Sequence, residues 1–131
     1  MKKILTTTIA IILTVSPNTA FAKNNKEDVK QIKKTCSFLK SNYSISVFDS
    51  WRKGKSSDED LISELDKNIN VIKKEVNKNK FSMKTNLKNL LKSEDIIKNA
   101  IIEKNLDMVA DGLLLNMSSF EKINVICLNI R

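Results

Sequence analysis

Apolar residues recur at steps of three and four through most of this chain, and that period predicts helices. The first is expected from Lys26 to Ser41, where Val29, Ile32, Cys36, Leu39 and Tyr43 share a face while Lys30, Lys33, Lys34 and Lys40 point elsewhere. Cys36 therefore faces the core. Ser44-Ile45-Ser46-Val47 alternates like a short strand, yet Ile45, Phe48 and Trp51 fit helical spacing and Gly54 stands where a helix is capped. A short helix is the preferred reading of residues 44–53. Phe48 and Trp51, with Phe38 and Tyr43, are expected to form an aromatic corner of the core, with a ligand-stacking box as the alternative.

Ser57-Asp58-Glu59-Asp60 is a strong helix start, because the serine accepts from exposed amides while the acids face the positive end of the helix dipole. From there Leu61, Leu65, Ile69, Ile72, Val76, Met83, Leu87 and Leu90 stay within one arc, which predicts one long helix to about Leu91. A kink at Asn77-Lys78-Asn79-Lys80, which is weak helical sequence, is the alternative. Ser93 with Glu94 and Asp95 is read as the next start, and Ile96, Ile97, Ala100, Ile101 and Ile102 as a central, buried helix. A break is expected near Asn105. Leu106, Val109, Ala110, Leu113 and Met117 then mark a further helix, weakened by Gly112, and Ser118 or Ser119 caps a last one carrying Phe120, Ile123, Cys127 and Ile130.

The first 22 residues follow a different pattern. Lys2 and Lys3 precede an apolar run from Ile4 to Val15, and Pro17 breaks it before Ala20-Phe21-Ala22, the layout of a cleavable secretory signal cut after Ala22. The run is diluted by threonine and falls short of the roughly 20 residues a membrane anchor needs. No cysteine follows the cleavage point, so a lipoprotein anchor is not expected. The expected organisation is thus a signal peptide over 1–22 and a single helical domain over 23–131, periplasmic, with secretion as the alternative.

Export changes the meaning of the two cysteines, Cys36 and Cys127. In an oxidising compartment they are expected to form a disulfide, and both occupy core-facing positions, one in the first helix and one in the last. Such a bond closes a loop of roughly 90 residues and contributes about 4 to 5 kcal/mol in the chain-entropy model. The fold class that follows is all-α, a small disulfide-stapled bundle of four to six helices.

Composition then narrows the chemistry. The chain contains no histidine, which excludes Ser-His-Asp and Cys-His nucleophiles and histidine-based metal sites, and no cofactor is expected. Asp58, Glu59, Asp60 and Glu64 are the acids that a carboxylate-dependent hydrolase would use, but capping accounts for them. Gly54-Lys55-Ser56 fails as a phosphate loop because Asp49 stands where the first glycine belongs. With 23 basic and 15 acidic residues the chain carries a formal charge of +8, and it stays basic after losing Lys2 and Lys3. Lysine is the one surface feature above background. Lys80, Lys84, Lys88 and Lys92 follow at four-residue intervals, and Lys73 falls on the same side if the long helix is unbroken. A solvated face is the plain reading of this ridge, and a docking surface for a protein with an acidic face is the functional one. Nucleic acid is not expected as a partner of an exported chain.

The layout is similar, at the level of architecture alone, to immunity proteins that neutralise envelope-directed toxins, to accessory proteins of pilus and secretion machines, and to small acid-stress chaperones. That resemblance implies a non-catalytic, protein-binding role. No residue motif selects among the three.

Overall fold

The computed structural model describes residues 26–130. Within them the chain forms five helices and no strand: α1 Lys26–Asn42, α2 Ser46–Arg52, α3 Asp58–Val76, α4 Phe81–Glu103 and α5 Leu106–Asn129. The expected signal peptide, 1–22, lies outside the described residues. No helix among them is long and apolar enough to cross a membrane.

Local chemistry explains most of the boundaries. Ser57 Oγ accepts from the Asp60 amide at 3.1 Å while the Asp60 carboxylate accepts from the Ser57 amide at 3.4 Å, so α3 starts on a closed capping box. α4 stops at Lys104, which adopts the left-handed region at φ 57° and donates its amide to the Ile101 carbonyl at 3.2 Å. One residue on, the Asn105 side chain accepts from the Met108 amide at 3.2 Å and starts α5. The expected break near Asn105 and the short helix within 44–53 are both present.

Three expectations about continuity are corrected. The single helix to Leu91 is two helices, because the chain turns at 77–80 and Asn79 folds back to donate its side-chain amide to the Glu75 carbonyl at 2.9 Å. Ser93 starts no helix: it lies buried inside α4, where its hydroxyl donates to the Leu90 carbonyl at 2.6 Å and so satisfies itself without ending the helix. The break before Ser118 is absent as well. Ser119 is buried within α5 and Gly112 packs on α4, so these small residues serve close helix approach and not capping.

The core has two apolar clusters. Ile32, Leu39, Ile72, Leu87, Leu90 and Ile123 belong to the first, drawn from α1, α3, α4 and α5. Phe48, Leu61, Leu65, Ile97, Ile101 and Val109 belong to the second, around α2. Cys36 and Cys127, both half-buried, pack against the first cluster and are joined with Cα atoms 5.9 Å apart, 91 residues apart in sequence. The bond therefore fastens α1 to α5. These two helices approach over a much shorter stretch than α4 and α5 do, so the covalent link fastens a thinly packed pair.

Candidate binding surface and buried polar layer

A layer of polar side chains separates the two clusters, one from each element that passes between them. Along α3 the order is Leu65, Asn68, Ile72; along α4 it is Leu90, Glu94, Ile97; along α5 it is Val109, Asn116, Ile123. Each polar residue sits on its helix's buried stripe. Asn68 Nδ2 donates to Glu94 Oε1 at 3.1 Å and to the Ser44 carbonyl at 2.8 Å. Tyr43 Oη donates to Glu94 Oε2 at 3.1 Å, and Asn116 Nδ2 reaches the same oxygen and Ser93 Oγ, the latter at 3.1 Å.

Every partner of the Glu94 carboxyl is therefore uncharged, and among the described residues no cation lies within ion-pair distance of it. Burial raises its pKa to about 7, against the opposing pull of these hydrogen bonds, and the charge of Glu64 adds to the rise. Burial likewise pushes the Tyr43 phenol well above its ordinary value, with Glu94 adding to the effect, so Tyr43 stays a donor.

Glu64, also buried, has a structural occupation of its own. Its two oxygens accept from the amides of Val47 and Phe48 at 3.0 Å each, which satisfies the otherwise unpaired start of α2. A narrow cleft between Ile45, Glu64, Asn68, Glu94 and Asn116 reaches this region and has room, about 10 Å³, for roughly one water molecule, far too little for a small-molecule site.

A third buried acid, Glu75, accepts from Thr35 Oγ1 at 2.7 Å and pairs with Lys78 at 3.1 Å, while Asn79 Nδ2 donates to Thr35 Oγ1 at 2.8 Å. This small network joins α1 to the end of α3. Among the remaining candidate acids, Asp58 accepts from Trp51 Nε1 at 2.8 Å, Asp60 closes the capping box, and Glu59 is exposed. The aromatic residues form two stacks and not one corner: Phe48 on Trp51 with centroids 5.9 Å apart, and Tyr43 on Phe120 at 5.4 Å. No group of three or more His, Cys, Asp or Glu side chains with metal-site geometry occurs among the described residues.

The lysines divide between elements. Lys73 lies in the last turn of α3, Lys80 at the N-cap of α4, and Lys84, Lys88 and Lys92 along α4. The turn at 77–80 breaks the helical phase that would have aligned Lys73 with the others. Lys73, Lys80, Lys88 and Lys92 are exposed and Lys84 is half-buried, and none of the five is paired with an acid among the described residues.

Sequence reasoning treated Glu94 as a helix-starting acid and passed over Asn68 and Asn116. The available signal was positional. Glu94 falls in the series Leu87, Leu90, Glu94, Ile97, Ile101, spaced three and four apart, so a charge stands where the pattern demands an apolar residue. Comparison of the chain with protein-family models, with curated proteins and with solved structures finds no match to any of them.

Proposed function

We propose that this chain is an exported, non-catalytic protein-binding module of the periplasm, holding a partner with an acidic surface as an immunity or inhibitor protein, or as an accessory factor of a pilus or secretion machine. One observation carries this reading: from Lys80 at the N-cap, Lys84, Lys88 and Lys92 follow along α4 at four-residue steps, with no acid among the described residues paired to them. Like charges at that spacing cost a helix a few tenths of a kcal/mol each, and an acidic partner offsets the cost. The acids that catalysis would need support the same reading, since Asp58, Asp60 and Glu64 are committed to Trp51, Ser57 and the start of α2.

The test is capture of the crosslinked, identified partner by the oxidised chain and by a Lys84→Glu, Lys88→Glu variant. The proposal expects capture to fall at least tenfold in the variant and to weaken with salt. Unchanged capture removes the lysines from the account. An acid-activated chaperone, the second reading drawn from architecture, gains nothing from Glu94, whose raised pKa favours the closed fold in acid.

A further inference from the structure

α5 presents the chain with two apolar faces, and α4 covers one of them. The inward face holds Val109, Gly112, Asn116, Ser119 and Ile123, all buried. Gly112 fixes that rotation: a Cβ there would stand 2.7 Å from Ile97 Cγ1 and 2.9 Å from Ile96 Cγ2, so α4 and α5 meet closely at this position. Leu106, Ala110 and Met117, which the sequence pattern assigns to the core, are turned out, together with Leu114, Val125 and Leu128. Leu106 is 73% exposed, Leu114 68%, Met117 59%, Leu128 57% and Val125 48%. With Ala110, also exposed, they occupy an arc of about 100° that runs the length of the helix.

We infer that this outward face of α5 is a self-association surface, on which a second copy of the chain lies antiparallel to the first. Three observations select that occupant. The first is area. Five large apolar side chains on each copy stand 48 to 73% exposed, so two such faces supply most of the apolar area of a small interface. With the polar flank of Asp107, Asp111, Ser118, Lys122 and Asn124 the total comes to about 1,200 Å², the lower edge of specific interfaces.

The second is register. An antiparallel pair with its twofold axis beside Met117 sets Leu106 against Leu128 and Ala110 against Val125 of the other copy. The same axis brings Asp111 against Lys122 twice, because both lie on one flank of the stripe and an antiparallel pair joins like flanks. The third is charge. Lysine dominates the charge of this chain and is nearly absent from α5, which carries Lys122 alone, so repulsion between two basic copies is weakest across this face, and the paired Asp111 and Lys122 offset part of that between its acids. Those same acids work against an anionic lipid surface, which selects helices with lysine or arginine beside the apolar face. Glu121 lies inside the stripe and keeps the association weak, with a dissociation constant in the micromolar range.

Equilibrium sedimentation of the oxidised chain tests this. A monomer–dimer equilibrium is expected, which Leu114→Glu shifts to monomer while circular dichroism stays unchanged, as does the thermal midpoint in solutions dilute enough for both chains to be monomeric, since Leu114 is 68% exposed and belongs to neither core cluster. Glu121→Leu completes the stripe and should tighten the dimer about tenfold or more. Asp111→Lys should weaken it, and adding Lys122→Asp should restore it. A chain that stays monomeric at the highest soluble concentration overturns the inference, as does dimerisation indifferent to Leu114→Glu. Failure of the charge exchange to restore association overturns the antiparallel arrangement on which it depends. Co-sedimentation of a monomeric chain with phosphatidylglycerol vesicles, lost in Leu114→Glu, would give the face to lipid instead.

Discussion

Asn68 on α3 donates its side-chain amide to the Glu94 carboxyl on α4 at 3.1 Å, and with Tyr43 and Asn116 it completes a shell in which no group carries positive charge. A carboxyl so placed is more stable with its proton.

The folded pKa of Glu94 is about 7 and the ordinary value 4.5, so the native state holds a proton that the unfolded chain releases between those limits. Stability from this group is complete below about pH 4.5 and is lost as pH rises to about 7, in total about 3 kcal/mol. Urea unfolding at pH 5 and pH 8 should show that loss in the native chain. Glu94→Gln, which keeps the shape and cannot ionise, should flatten it and be the more stable protein at pH 8. An equal slope in the two proteins would assign the pH dependence elsewhere.

The bond between Cys36 and Cys127 closes nearly the whole domain, joining positions 91 apart in sequence. Replacing both cysteines by serine should lower the unfolding free energy by about 4 kcal/mol, read from the urea midpoint and slope. The reductant dithiothreitol should lower the native chain to the same level and leave the double variant untouched.

Gly112→Ala sets two effects against each other. Alanine gains about 1 kcal/mol of helix propensity, whereas a methyl 2.7 Å from Ile97 Cγ1 overpacks the α4–α5 contact at a cost of about 1 to 3 kcal/mol. A net loss of about 1 kcal/mol is expected in thermal or urea unfolding. Gly112→Ala combined with Ile97→Ala, which removes the contacted Cγ1, should cost less than the sum of the two single changes in the same assay.

The helical class, the disulfide and the Ser57 start were legible because each rests on local or pairwise chemistry: a period, two cysteines on core-facing stripes, a serine three residues before an acid. Continuity was less legible. Ser93 and Ser119 carry the marks of caps, and only the neighbours brought by folding show that Ser93 is satisfied by Leu90 and Asn116 and that Ser119 is there for its size. The rotation of α5 was misread for a related reason. Hydrophobicity favoured Leu106, Ala110 and Met117 as core, but Gly112 and Asn116 set the inward face through close approach and hydrogen bonding, which a count of apolar positions does not weigh. Ile102, expected inside, is 56% exposed at the end of α4, where the chain turns away. The lysines were read correctly as residues on helices, while the alignment of Lys73 with the rest depended on a helix that the turn at 77–80 interrupts.

The layer formed by Asn68, Glu94 and Asn116 has a consequence for how the bundle finds one arrangement among several near-equivalent ones. Hydrocarbon stripes tolerate sliding by a full turn, since leucine meets isoleucine almost as well in either place. Here a slide of α5 by one turn would carry Asn116 away from Glu94 and leave its amide among aliphatic neighbours, at a penalty of about 1 to 3 kcal/mol. Three side chains thereby act as a key cut across an otherwise smooth shaft.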